Sequence, residues 1–363
     1  MVTIAKRENN NKRRYLVVNK LQGKHIPVSG QTAFDVFDSL AQKVEENCKG
    51  EKLLLVGFAE TATAIGARLA VKLRTDYMQT TREQVSNAEY LFFTESHSHA
   101  TEQKLVKNDI DSVINFIDRI VFVEDEVTTG NTIMKIIDII EKLYPDKVQF
   151  SVASLLNGMN EESLSKYKKR NIDIYYIQKT NHSEYTAIAE SFSGNGKYFP
   201  KNTHTSNVEI VSVADGYLNA RRLVNGNNYN ASCEKLFDII KSQVNLENIK
   251  NMLVIGTEEF MYPALFTAQR FEKEGFNVYS HSTTRSPIVT SNEDDYPLHE
   301  RFELASFYDK DRKTFIYNLK KYDCVIVITD ANPIENDGVN SLVNALRSVG
   351  NDKIYVYRWC DDE

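Results

Sequence analysis

No stretch of this sequence approaches the roughly 18 consecutive apolar residues of a membrane-spanning helix. The four cysteines, Cys48, Cys233, Cys324 and Cys360, stand far apart, without the paired spacing of a zinc site or the density of a disulfide framework. Cys324 sits in an apolar run and reads as a core residue. Positive charge is not in excess: the formal net charge is −6, which argues against a general nucleic-acid-binding surface, and no helix-turn-helix pattern or basic patch stands out. The first 14 residues are polar and basic without an apolar centre, so they read as a flexible tail and not as a signal peptide. A reduced, cytoplasmic protein with neither membrane nor nucleic acid as partner is the expectation.

What is present suffices for two ordinary cores. The chain has 363 residues, of which 42% are hydrophobic, and that length exceeds a usual single domain. Short apolar runs such as Leu53–Val56, Tyr77–Thr80, Val148–Leu155 and Ile172–Ile177 alternate with helix-period segments such as Phe34–Val44. That alternation predicts an α/β fold with a mostly parallel sheet flanked by helices. Residues 191–207, rich in Ser, Gly, Asn and Lys, carry the weakest periodicity. The expected domains are therefore 15–205 and 206–363.

Ten residues concentrate the chemistry. Val123-Glu124-Asp125-Glu126-Val127-Thr128-Thr129-Gly130-Asn131-Thr132 follows the apolar run Arg119–Phe122 and leads into Ile133, Ile136, Ile137 and Ile140, which share one helix face. Two carboxylates thus end a buried strand, and a Thr/Gly turn opens a helix. The turn's backbone N–H groups, hydroxyls and helix dipole suit a phosphate. Like charges repel, so Glu124 and Asp125 suit instead the hydroxyls of an attached sugar, or positive charge developing on it. A sugar phosphate is the natural guest. Gly57-Phe58-Ala59-Glu60-Thr61-Ala62-Thr63 lies at another strand-to-helix turn, where amides can face an anion, and Thr81 and Arg82 could add a hydroxyl and a bidentate guanidinium.

Three landmarks recur in order in the second half. Leu53–Glu60 parallels Met252–Glu259, Tyr77–Arg82 parallels Tyr279–Arg285, and Val121–Asp125 parallels Val325–Asp330. The C-terminal half therefore reads as a diverged copy of the first, with Ala331-Asn332-Pro333 where a phosphate turn would stand.

The segment Val123–Thr132 resembles the 5-phosphoribosyl-1-pyrophosphate (PRPP) loop of type I phosphoribosyltransferases. With Gly23–Ser29, Gly57–Thr63, Thr80–Glu83 and Ser96–Glu102, the chain looks like the orotate-phosphoribosyltransferase-like family (PRTase_2) of bacterial stress and tellurite-resistance gene neighbourhoods. Thr284-Arg285-Ser286-Pro287, Asp215-Gly216-x-x-Asn219-x-Arg221 and Gly256–Phe260 fit the TRSP domain that follows it in those proteins. The resemblance implies transfer of phosphoribosyl from PRPP, with Mg²⁺, to a nucleobase-like acceptor, releasing pyrophosphate and making a nucleoside-like metabolite. It implies Glu124 and Asp125 on the ribose hydroxyls and Thr128, Thr129, Gly130, Asn131 and Thr132 on the 5-phosphate. Gly57, Phe58, Ala59, Glu60, Thr61, Ala62, Thr63, Thr81 and Arg82 would receive pyrophosphate. The polar run Thr94–Glu102 falls where the family carries a closing loop, which would deliver His97 or His99 to the reaction, with plain surface decoration as the alternative; a His-x-His pair with no third ligand nearby is weak support for zinc, and no metal ligand is assigned. Thr128 stands where some members carry a carboxylate facing a purine, which weighs against a hypoxanthine- or guanine-type substrate. Asp215, Asn219, Arg221, Glu258, Glu259 and Arg285 are candidates for a second site, whether for another ligand, for acting on the product or for supporting the first site. Related enzymes are often dimers, so a homodimer is one expected arrangement. A non-catalytic PRPP or nucleotide sensor and the reverse reaction on a nucleotide are the alternative readings.

Overall fold

The computed structural model describes residues 2–8, 13–93, 103–332 and 336–361. The chain forms two compact units, neither of them contiguous in sequence. One comprises residues 34–181 and 218–232; the other comprises 1–33, 182–217 and 233–363. The sequence halves expected to meet at 205/206 therefore exchange short pieces across that point.

The unit built on 34–181 holds a six-stranded sheet in the order Val224–Asn225, Asp76–Gln79, Leu53–Gly57, Arg119–Val127, Gln149–Asn157, Asp173–Lys179. Every pairing is parallel except that of Val224–Asn225, which runs antiparallel to Asp76–Gln79. The strand Leu53–Gly57 and the stretch Ile120–Val123 read as unbroken apolar runs and are buried, as strands of a parallel sheet covered on both faces are. Ile133, Ile136, Ile137 and Ile140 are the buried face of helix Asn131–Leu143, as the periodicity predicted.

The other unit holds a five-stranded, all-parallel sheet in the order Ile210–Val213, Ile354–Trp359, Cys324–Thr329, Asn251–Gly256, Asn277–Ser282. Its core includes Leu253, Ile255, Val325, Val327, Leu342 and Leu346. Smaller sheets join it, among them the antiparallel pair Val2–Lys6 and Tyr15–Asn19. Residues 2–6 are thus a paired strand where a flexible tail was expected. They alternate with too little contrast to show as a strand alone, and their partner supplies the ladder.

The second sheet repeats the first. Gly57 pairs with Gln79 on one side and Val123 on the other; Gly256 pairs with Ser282 and Ile328 in the same way. Helices of 18 residues, Gly30–Asn47 and Gly226–Gln243, precede the corresponding strands. The outer edge differs: Asp173–Lys179 follows its neighbour in sequence, whereas Ile210–Val213 precedes the whole sheet.

Candidate active site

Three adjacent strands of the first sheet carry three expected loops at their carboxyl ends, where ligands of open parallel sheets bind. The middle strand Leu53–Gly57 leads into 57–63, its neighbour Asp76–Gln79 into Thr80-Thr81-Arg82, and the other neighbour Arg119–Val127 into the Thr/Gly turn. Residues separated by up to 75 positions in the chain, from Gly57 to Thr132, thereby share one edge.

The 57–63 turn is fixed by backbone and hydroxyl bonds. Phe58 N–H donates to Val123 O at 3.0 Å, Ala62 N–H to Phe58 O at 3.0 Å, and Ala59 N–H to Thr80 Oγ1 at 2.8 Å. Gln103 Nε2 donates to Ala59 O at 3.1 Å, and the Ala59–Glu60 peptide bond is cis. Gly57 must be glycine, since a Cβ there would lie 2.7 Å from the Tyr77 hydroxyl. That hydroxyl donates to Thr63 O at 2.8 Å and so ties the first turn of helix Thr63–Leu73 to the sheet. Thr81 N–H donates to Lys104 O at 2.9 Å and accepts at its own carbonyl from Lys104 N–H at 3.0 Å. Thr81–Arg82 is thereby set beside the base of the antiparallel pair Tyr90–Phe92 and Lys104–Val106. His97 and His99 lie outside the described residues.

Glu124 and Asp125 continue the strand that ends at Val127, with Glu124 level with Ser154 of the next strand. The Glu124 carboxyl keeps some exposure but is desolvated by its surroundings. Burial first, and the adjoining Asp125 charge second, raise its pKa well above the ordinary carboxylate range. The chain then turns through Gly130 at φ 71°, a left-handed conformation that glycine takes without penalty. A Cβ at Gly130 would collide with the Tyr167 hydroxyl and the Met159 methyl. Tyr167 OH donates to Gly130 O at 2.6 Å, and burial raises its own pKa. Asn131 N–H donates to Thr129 Oγ1 at 3.3 Å, opening helix Asn131–Leu143.

The candidates for a second site divide between the units. Glu258, Glu259 and Arg285 meet: Arg285 Nε lies 3.8 Å from Glu258 Oε2, and its Nη2 lies 3.9 Å from Glu259 Oε2. Arg312 Nη1 donates to Glu258 Oε2 at 2.9 Å, and Ser306 Oγ donates to Glu258 Oε1 at 2.5 Å. Lys24 Nζ donates to the carbonyls of Glu258 at 2.6 Å and Thr283 at 2.9 Å, so the Gly23–Ser29 motif braces this loop. Asp215 belongs to the same unit at the end of the edge strand, its carbonyl accepting from Trp359 Nε1 at 3.3 Å. Asn219 and Arg221 belong to the other unit. The set is therefore no single cluster, because the chain crosses between units inside the signature Asp215–Arg221.

Sequence reasoning passed over Gln103 and Tyr167, which shape the loops, and Ser306 and Arg312, which hold Glu258, and it quoted Thr80 within the Thr80–Glu83 resemblance without giving it a role of its own. Thr80 directly precedes two residues that were singled out. Nothing in spacing connects Ser306 or Arg312 with Glu258.

An apolar strand ending in paired carboxylates, a glycine-pinned turn and the neighbouring 57–63 loop share one edge of the sheet. Residues 1–179 match the family model PRTase_2, described as phosphoribosyl transferase, and residues 224–346 match TRSP, described as the TRSP domain C terminus to PRTase_2. The chain belongs to this family of phosphoribosyltransferases with a C-terminal TRSP domain, and it is a PRPP-dependent pentosyltransferase by class. No curated protein matches the chain. Among solved structures, it is similar to adenine phosphoribosyltransferase from Rhodothermus marinus at 13% identity, covering 49% of this chain and 94% of that one with a TM-score of 0.36. The adenine enzyme from Thermoanaerobacter pseudethanolicus is 23% identical, with coverages of 41% and 82% and a TM-score of 0.32. A hypoxanthine phosphoribosyltransferase from Staphylococcus aureus is 16% identical, with coverages of 42% and 75% and a TM-score of 0.26. Among the described residues no helix is long and apolar enough to cross a membrane.

Proposed function

We propose that the unit built on 34–181 transfers the 5-phosphoribosyl group of PRPP to a nucleobase-like nitrogen, releasing pyrophosphate and forming a nucleoside 5′-phosphate-like product. The observation that carries this is the convergence of the Glu124-Asp125 strand end, the Gly130 turn and the 57–63 loop on adjacent strands.

The 5-phosphate occupies the Thr128–Thr132 turn, where N–H groups and hydroxyls meet the positive end of helix Asn131–Leu143. Glu124 and Asp125 hold the ribose hydroxyls. As the bond between C1 and the pyrophosphate oxygen breaks, positive charge grows on the ring and the two carboxylates stabilise it. Pyrophosphate leaves with the bonding electron pair into the 57–63 loop, Thr81 and Arg82. The acceptor nitrogen donates its lone pair to C1, and its proton departs to solvent or to a base of the closing segment. His97 or His99 is the proposed group there. Hard carboxylate oxygens and a phosphate-rich substrate suit Mg²⁺, which would enter on PRPP and neutralise charge on the leaving pyrophosphate.

The reading is tested by incubating the protein with Mg-PRPP and a panel of nucleobases, following pyrophosphate release and the mass of the product. Acceptor-dependent release that vanishes in Glu124→Gln/Asp125→Asn supports it. Release unaffected by that double substitution contradicts it.

A further inference from the structure

We infer that the five-stranded sheet carries a binding site of its own, in which Arg358 takes a phosphate monoester at the carboxyl end of the strands. This inference is independent of the reaction proposed for the other sheet.

Strand alternation and register place the groups. Ile255, Val327 and Val356 share a core with Val339, Leu342, Val343 and Leu346 of helix Asp337–Ser348, and Ile210 packs against it. Side chains two residues further along a strand share the same face, so Thr257, Thr329, Arg358 and Ser212 lie on the helix-covered face. Pairing sets them level. Arg358 stands beside Thr329 on one neighbour and Ser212 on the other, and Thr257 Oγ1 donates to Thr329 Oγ1 at 2.9 Å. One polar row thus crosses four adjacent strands at the edge where open parallel sheets bind ligands.

Arg358 braces nothing in that row. It is 7% exposed, its Nε has no hydrogen-bond partner, and among the described residues its guanidinium makes neither a hydrogen bond nor an ion pair. Other partly buried arginines are held differently: Glu51 raises the pKa of Arg119, and Asp109 raises that of Arg222. Burial lowers the pKa of Arg358, with only the Cys360 charge opposing it. The group still carries its charge at physiological pH, and a buried charge without a partner is costly to keep. A ligand supplies the missing anion.

The surroundings select that anion. Helix Asp337–Ser348 connects the parallel neighbours Cys324–Thr329 and Ile354–Trp359, so it runs back along them and begins at their carboxyl edge. Asn336 provides no side-chain cap, which leaves first-turn N–H groups and the positive end of the dipole for an anion. Asp337, the acidic residue of that turn, is exposed. Thr329 Oγ1 accepts from Thr257 and from Ala331 N–H at 3.2 Å, so its own proton is left to donate. A carboxylate would spend both its oxygens on the guanidinium fork, whereas a phosphate monoester has a third for the Thr329 and Ser212 hydroxyls. Ser212 is exposed on the edge strand, so the row opens to solvent there. Glu258 follows the strand Asn251–Gly256, two strands from Arg358, and its charge bars pyrophosphate from that loop; the ligand is therefore a monoester and not PRPP.

The test is calorimetric titration of the full chain with ribose 5-phosphate, comparing wild type, Arg358→Met and Arg358→Lys, together with the melting temperatures of the ligand-free proteins. Wild type should bind one equivalent more than Arg358→Met, and Arg358→Lys should hold that equivalent about 10-fold or more weaker. Ligand-free Arg358→Met should melt no lower than wild type, because it removes an unpaired buried charge. Glu124→Gln/Asp125→Asn should keep the Arg358-dependent equivalent, which separates it from ribose 5-phosphate held at the other sheet. Equal stoichiometry in wild type and Arg358→Met, or no binding to wild type, overturns the inference. A lower-melting Arg358→Met also overturns it, since the arginine would then be a structural brace. Should Arg358→Met not fold, Arg358→Lys decides: undiminished affinity at every equivalent overturns the inference, and one weakened equivalent supports it.

Discussion

Thr80 Oγ1 accepts the backbone N–H of Ala59 at 2.8 Å, joining the ends of two adjacent strands. Thr283 Oγ1 accepts the N–H of Glu258 at 3.0 Å in the corresponding place of the other sheet. The correspondence continues outward. Thr80 N–H donates to Gly57 O and Thr283 N–H to Gly256 O, while Thr81 and Thr284 bridge Lys104 and Phe315. Two copies of one construction thus differ at a decisive residue: alanine in one loop, glutamate in the other.

That difference predicts one PRPP per chain. The Glu258 side chain is fully buried and pairs with Arg312, with Arg285 close by, so an internal carboxylate already engages the arginine that corresponds to Arg82. A second anion would meet that charge. Titration with Mg-PRPP should give a stoichiometry near one per chain, and two equivalent sites would contradict it.

The raised pKa of Glu124 gives donor binding a pH dependence. Below that pKa the carboxyl is protonated and contributes no negative charge to the ring. Affinity for Mg-PRPP should fall as pH is lowered through the range above about 4.5, and Glu124→Gln should flatten this profile. A wild-type affinity that changes nowhere as pH is lowered toward the ordinary carboxylate value of about 4.5 would contradict the role.

The same shift sets a stability trade. A carboxyl whose folded pKa is raised favours the fold when protonated, so its contribution is complete at low pH and is lost as pH rises through the folded value. Glu124→Gln should therefore melt higher than wild type at alkaline pH and about equally near pH 4, while activity falls about 100-fold or more. Matching melting temperatures at both pH values would argue that Glu124 is not desolvated in solution.

Gly130→Ala should damage both fold and donor binding. A left-handed alanine costs about 1–2 kcal/mol, and its methyl would meet Tyr167 and Met159. Paired substitution with Tyr167→Phe would remove one obstruction, and thermal unfolding of the two variants measures how much of the loss is steric.

The fragment 15–205 should fold poorly although it contains the PRPP loop. It lacks Val224–Asn225, the edge partner of Asp76–Gln79, and it leaves Asp109 without Arg222. Stripping a largely buried carboxylate of its partner costs about 3–5 kcal/mol. A soluble, cooperative fragment with full-chain stability would contradict this account of the exchanged segment.

The local structure of the candidate site was readable where strand, turn and helix follow one another in the chain. Glu124 through Thr132 carry strand end, acidic pair, turn and helix start within consecutive residues, and the isoleucine spacing fixes which face packs. The repeat was readable because Gly57 and Gly256 each end an apolar strand at matching landmarks. Illegible were the pairings made at a distance. Val2–Lys6 becomes a strand only through Tyr15–Asn19, and Asn219–Arg221 part from Asp215 because Val224 finds its partner in Tyr77. The burial of Glu258 depends on Ser306 and Arg312, residues with no pattern in common.

The most direct measurement is calorimetric titration of the full chain with PRPP, with and without Mg²⁺, on wild type and Glu124→Gln/Asp125→Asn. Magnesium-dependent binding to wild type that disappears in a folded double variant is the predicted result. Binding that survives in the variant, or its absence in wild type, would contradict a phosphoribosyl-donor site at the end of the Arg119–Val127 strand.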